Sequence, residues 1–154
     1  MSDFHYDDER VPVIQLWDFL LVPLQGDITD SRAEQLRSTV LQRIEVAGAR
    51  ALIVDASGLV LVDSHLCALL ADLARAARLM GAQTILSGLD PGVAQTLMEM
   101  GVELSGIEAV TTLERAFTRV GIRYENDERE EARDLAWSLL DAADAAMTKE
   151  GRTQ

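Results

Sequence analysis

Cysteine is nearly absent from this 154-residue chain: Cys67 stands alone. A single thiol excludes an internal disulfide framework and fits a reducing cytoplasm. Its place inside a helical apolar pattern reads as a small core residue rather than a nucleophile. Two scattered histidines with that cysteine give no metal-ligand spacing, so no metal or cofactor is expected. Lysine is also nearly missing, with Lys149 against 13 arginines, and none falls within 11–121. A receiver-type aspartate pocket, which requires a lysine, is thereby excluded. No apolar run approaches the roughly 18 residues that cross a bilayer. The opening "MSDFHYDDER" has no apolar core of a secretory signal, so a cytoplasmic protein with no membrane partner is expected.

Positive charge is scarce as well. The net charge is −12, with acids concentrated in residues 1–10 and in 122–154. Without a basic patch, direct nucleic-acid binding is excluded on electrostatic grounds. An acidic surface instead suits solubility and basic protein partners. Phosphate-cradling glycine patterns, G-x-x-x-x-G-K-[ST] and G-x-G-x-x-G, do not occur.

Nearly half of the composition is apolar, 48%, enough for one domain with a substantial core. "VPVIQLWDFLLVPLQG" reads as two short strands, about 12–16 and 19–24, turning at Trp17–Asp18. The next stretch reads as a helix with a Ser31/Glu34 capping box, a buried stripe of Leu36, Val40, Ile44 and Ala47, and a stop at Gly48. "ARALIVDAS" and "QTILSGL" are short apolar runs of the kind buried on both faces of a parallel sheet. "DPGVAQTLMEMG" predicts a helix with Asp90 as N-cap and Pro91 at its first position. "IEAV" predicts a last strand, and "TTLERAFTRVG" a helix capped by Thr111 with Glu114. Strands alternating with helices imply an α/β layer fold, parallel after the first hairpin.

The stretch "LVLVDSHLCALLADL", residues 59–73, is the most informative. An apolar run stops at Asp63-Ser64, and Leu66, Leu69, Leu70, Leu73 and Ala77 then recur on one helical face. Ser64 therefore sits where an extended segment hands over to a helix. Two readings stay open from the residues: a helix cap, worth about 1 kcal/mol, or a hydroxyl on which chemistry is done. Asp63-Ser64-His65 is no catalytic triad, because neighbours on a helix point about 100° apart and none aligns another. A nucleophile elbow would need glycine on both sides of the serine. Isolated acids such as Asp55 read as strand-end solvation or backbone caps. The chain is thus expected not to be an enzyme.

Three stretches together resemble the STAS family of anti-sigma-factor antagonists and stressosome proteins. They are "VPVIQLWDFLLVPLQGDITD", "GARALIVDASGLVLVDSHLCALLADLARAARLMGAQTILSGLDPGVAQTLMEMGVEL" and the closing helix near 112–120. The resemblance covers roughly residues 10–121, and its combination of Asp-Ser, "LMGA" and "SGLDPGVAQTL" points to the RsbS-type scaffold branch. It implies a mixed sheet of four or five strands with helices mainly on one face. It implies that Ser64 is phosphorylated by an RsbT-like serine/threonine kinase, with Asp63 and His65 contributing to partner binding around it. Thr96, in "VAQTL", matches a second phosphothreonine position of RsbR-type paralogues, a role not known for the scaffold branch. "DSHLC" departs from other family versions at His65 and Cys67, which touches the kinetics of the site. The implied partners are RsbR-like STAS proteins and the kinase, in a large hetero-oligomer with self-association. Alternatives are a free-standing anti-anti-sigma factor that binds an anti-sigma kinase, or a ligand-binding STAS module of the kind found in lipid transport.

The organisation expected is an acidic segment 1–10, a STAS domain 11–121 and an acidic extension 122–154, about which the family says nothing. In the extension Leu135, Leu139, Ala142 and Ala146 share one helical face with Trp137 beside it, predicting an appended amphipathic helix within about 126–148.

Overall fold

The computed structural model describes residues 10–99, 106–123 and 132–142. Two strands open the fold, β1 (Ile14–Leu16) and β2 (Phe19–Gly26). They pair antiparallel through a two-residue turn at Trp17–Asp18, where Trp17 takes φ = 49°. Then follow α1 (Asp30–Ala47), β3 (Ala51–Leu59), α2 (Ser64–Leu79), β4 (Gln83–Ser87), α3 (Pro91–Glu99), β5 (Ile107–Val110) and α4 (Leu113–Arg119). The sheet order is β1-β2-β3-β4-β5, with every pair after the hairpin parallel. This is the α/β layer fold, parallel after the hairpin, that the strand–helix alternation predicts, and its mixed five-stranded sheet is the one that the resemblance implies.

Register separates the two faces of the sheet. Leu20, Val22 and Leu24 line up with Leu52, Val54 and Ala56, and with Leu86, on one face. Against it pack Leu36, Val40 and Ile44 of α1 and Leu66, Leu69, Leu70, Leu73 and Ala77 of α2. The opposite face carries Phe19, Ile53 and Ile85, and there Phe19 meets Phe117 of α4 at 6.0 Å between ring centroids. The two long helices thus share one face, and α4 reaches the other. Cys67 is fully buried, as its position in the helical pattern predicts.

Three helix starts differ in detail from the sequence reading. The cap of α1 is Thr29, whose hydroxyl accepts from Arg32 N, rather than Ser31. The cap of α4 is Thr112, which accepts from Arg115 N, rather than Thr111. The cap of α2 is Asp63, and Ser64 is already the first helical residue. In each case an N-cap needs extended φ/ψ, and several neighbouring residues have suitable side chains. The backbone path into the helix chooses among them. Gly48 ends α1 in the left-handed region, as predicted, and Asp90 Oδ1 accepts from Gly92 N at 2.8 Å ahead of α3.

The chain divides into two compact units, residues 1–121 and 122–154. In the second, residues 132–142 are helical, and Leu135, Trp137, Leu139 and Leu140 are each more than three-fifths exposed. Ala146 of the predicted stripe lies outside the described residues.

Candidate functional site

In a parallel sheet every strand delivers its carboxyl end, and the following helix its N-terminus, to the same edge. Here that edge gathers the starts of α1, α2, α3 and α4. Strand β3 runs past β4 at this edge. Its register with β2 passes from Pro23↔Asp55 to Gln25↔Gly58, so Ala56 and Ser57 together oppose Leu24 in a β-bulge. The bulge reverses the alternation. Val54 and Ala56 face the core, and after it Leu59, the last residue of the strand, turns inward instead of outward; Val62, beyond the strand, also packs against the core. Gly58 permits the crossing, since a Cβ there would lie 2.8 Å from the Leu24 carbonyl oxygen. The projecting segment exposes Val60 and Leu61, 80% and 63% accessible, and leads directly into Ser64.

Asp63 Oδ1 accepts from Leu66 N at 2.8 Å and so closes the third amide of α2. The first intrahelical bond is Cys67 N to Asp63 O at 3.1 Å. The amides of Ser64 and His65 belong to the first turn, whose donors have no intrahelical acceptor. Ser64 is exposed beside them. Free amides and the positive end of a helix dipole are the features with which helix starts bind anions. His65 Nε2 lies 3.1 Å from Asp30 Oδ1, which ties the second residue of α2 to the first residue of α1. Ser64, Asp63 and His65 therefore share one exposed corner. Burial, aided by the charge of Asp63, pushes the Cys67 thiol up from its ordinary pKa. That makes the cysteine a poor nucleophile at neutral pH. Thr96 lies in α3, and its side chain falls outside the described residues.

Sequence reasoning missed the Asp30–His65 contact, which joins residues 35 positions apart. It also missed a polar node at the base of the projecting segment. Asp55, at the end of the regular part of β3, accepts from Ser57 N at 3.2 Å and from Ser57 Oγ at 3.0 Å. Its Oδ1 also accepts from Ser87 Oγ on the register partner in β4, at 3.3 Å. Among the described residues no group of three His, Cys, Asp or Glu side chains could hold a metal ion. None of the described helices is long and apolar enough to cross a membrane.

A profile of the STAS domain matches residues 10–118. Among curated proteins, the RsbT co-antagonist protein RsbRB of Bacillus subtilis is 35% identical over 96 residues. That match takes in 62% of this chain and 35% of the relative, so the chain spans about a third of that protein's length. Among solved structures, a serine-to-glutamate variant of RsbS from Moorella thermoacetica superposes with a TM-score of 0.64 at 30% identity. The match covers 71% of this chain and 93% of that one. A chain from the molecular architecture of the stressosome, a signal integration and transduction hub, matches with a TM-score of 0.60 at 28% identity, covering 70% and 94%. The profile spans the whole sheet, the first three helices and all but the last residue of α4, and the RsbS variant shares the fold, so the chain belongs to the STAS-domain family.

Proposed function

We infer that this chain is a non-catalytic scaffold of stressosome type that holds an RsbT-like serine/threonine kinase and releases it when Ser64 is phosphorylated. The observation that carries the reading is the corner just described. An exposed hydroxyl stands at the first position of α2, beside amides able to receive a phosphate and next to the exposed apolar pair Val60 and Leu61. A partner seated over this corner gains apolar burial from Val60 and Leu61, at about 25 cal/mol per Å² of apolar surface removed from water. Phosphorylation places about −1.5 to −2 charges under that contact. Asp63 and Asp30 stand close by, so the added charge meets like charge on the protein's own surface. The helix start accommodates the phosphate and the docked partner does not.

Likeness to RsbRB and to the RsbS variant supports assembly with RsbR-like STAS proteins and with further copies of this chain. The test uses the full chain with an RsbT-like kinase. Phosphosite mapping after incubation with ATP is expected to find phosphate on Ser64, and pull-down is expected to recover kinase before ATP but not after. Particle size with an RsbR-like protein separates a scaffold, which enters a very large complex, from a free-standing antagonist, which stays in a small one. Retention of the kinase by fully phosphorylated chain would sink the release mechanism. Phosphate on Thr96 instead of Ser64 would move the switch to α3.

A further inference from the structure

The node at Asp55 is not part of the switch corner, yet it stands where the projecting segment leaves the sheet. We propose that Asp55 is a positioning residue for Ser64: its carboxylate locks the β3 bulge, and the bulge fixes where residues 58–64 present the acceptor. This rests on the reading of Ser64 as the acceptor.

The locking is geometric. Both carboxylate oxygens are engaged, Oδ2 by Ser57 Oγ and Oδ1 by Ser57 N and by Ser87 Oγ. Ser87 is fully buried, so its hydroxyl joins the end of β4 to the bulge. Gly88 completes the fit. With φ = 73° it backs onto the node so closely that a Cβ would lie 2.8 Å from Asp55 Oδ1 and from Ser57 Cβ. On the other flank Gly58 slides past the Leu24 carbonyl. The extra residue is thus held from both neighbouring strands. Its consequence is the reversed alternation that turns Leu59 toward the core, after which the chain leaves the sheet with Val60 and Leu61 exposed and Val62 packed against the core. From there the chain reaches Ser64 within three residues. Beyond the node the segment pairs with β2 at Gln25↔Gly58 and Gly26↔Leu59, and Leu59 and Val62 rest against the core.

The test pairs two readouts on the full chain, for Asp55→Ala and Asp55→Asn. Hydrogen exchange is expected to speed up across 58–64 in Asp55→Ala while 51–54 keep wild-type protection. Ser64 phosphorylation by an RsbT-like kinase, at subsaturating kinase, is expected to slow by about tenfold to a hundredfold, since small misplacement of a reacting group carries penalties of that order. Asp55→Asn keeps an acceptor oxygen for Ser57 N and Ser87, and is expected to restore the rate to within about threefold. A merely structural role would lower stability in both variants without this rescue. Should Asp55→Ala fail to fold, Ser57→Ala and Ser87→Ala each remove one hydroxyl bond and are expected to loosen 58–64 in part. Unchanged exchange across 58–64 overturns the proposal, and so does faster exchange with an unchanged phosphorylation rate. A wild-type chain that takes no phosphate at Ser64 fails the acceptor reading itself, which the exchange readout does not depend on.

Discussion

Asp63 and Ser64, adjacent at the start of α2, are expected to respond differently to mutation. Asp63 has the extended backbone of a cap, φ = −113° and ψ = 174°, and its side chain accepts from Leu66 N. Replacing a capping side chain by alanine costs typically ~1 kcal/mol, within about 0.5–2. Ser64 is one residue inside the helix, exposed, with no capping bond to lose. Ser64→Ala is therefore expected within about 0.5 kcal/mol of wild type, as for ordinary surface positions. Alanine's higher helix propensity acts in its favour. Asp63→Asn keeps the cap, because asparagine ranks with aspartate at this position, and it removes one charge from the corner. Far-UV circular dichroism through urea and heat is the assay. Asp63→Ala is expected to lower Tm by roughly 4 °C, given about 4–8 °C per kcal/mol for a domain of 60–100 residues and less for larger ones. Ser64→Ala and Asp63→Asn are expected to leave it nearly unmoved. In the kinase assay the order changes: Ser64→Ala takes no phosphate, while both Asp63 variants still do. A Ser64→Ala loss equal to that of Asp63→Ala would refute the capping assignment and return Ser64 to a structural role.

Ser64→Asp is expected to release the kinase less completely than phosphorylation does, because a carboxylate brings one charge and two oxygens where phosphate brings more charge and a third oxygen. Equal release in pull-down would show that charge is not the lever. The Arg50 guanidinium binds Asp18 and holds its carboxyl below the ordinary carboxylate range, and Arg50 also donates to Val120 O at 2.8 Å. A depressed folded pKa gives stability that is present above the unfolded value and lost as pH falls through the folded one. Arg50→Ala is thus expected to flatten the acid limb of a pH–stability curve slightly, both side chains being more than half exposed, and an unchanged limb would discount the pairing. A chain ending at Gly121 is expected to accept phosphate at Ser64 at the full-length rate, since the STAS match and the whole corner lie upstream. A markedly slower rate would bring residues 122–154 into the kinase reaction.

Element types in this protein follow from local periodicity. The stripe Leu66, Leu69, Leu70, Leu73 and Ala77 is buried because side chains three and four apart share a helix face, whatever surrounds them. Short β-branched runs at Ile53-Val54 and Ile85 are buried strands for a similar reason, and Gly48 ends a helix because it enters the left-handed region freely. The order strand–helix–strand then implied parallel pairing after the first hairpin, and it put Asp63-Ser64 at a helix start. Other features depended on groups distant in the chain. Thr29, Ser31, Thr111, Thr112, Asp63 and Ser64 are all chemically fit to cap, and only the chain's approach to each helix gave Thr29, Thr112 and Asp63 the extended backbone that capping requires. Asp55 read as a strand-end acid. That its carboxylate grips Ser57 and Ser87 depends on β3 and β4 lying in register, 32 residues apart. The bulge at Ala56-Ser57 is likewise invisible in sequence, because an extra residue in one strand exists only relative to its partner. Asp30 and His65 meet for the same reason, as parallel pairing brings the N-termini of α1 and α2 to one edge. The serine could be found from its neighbours along the chain; the direction in which the molecule presents it was decided by neighbours across the sheet.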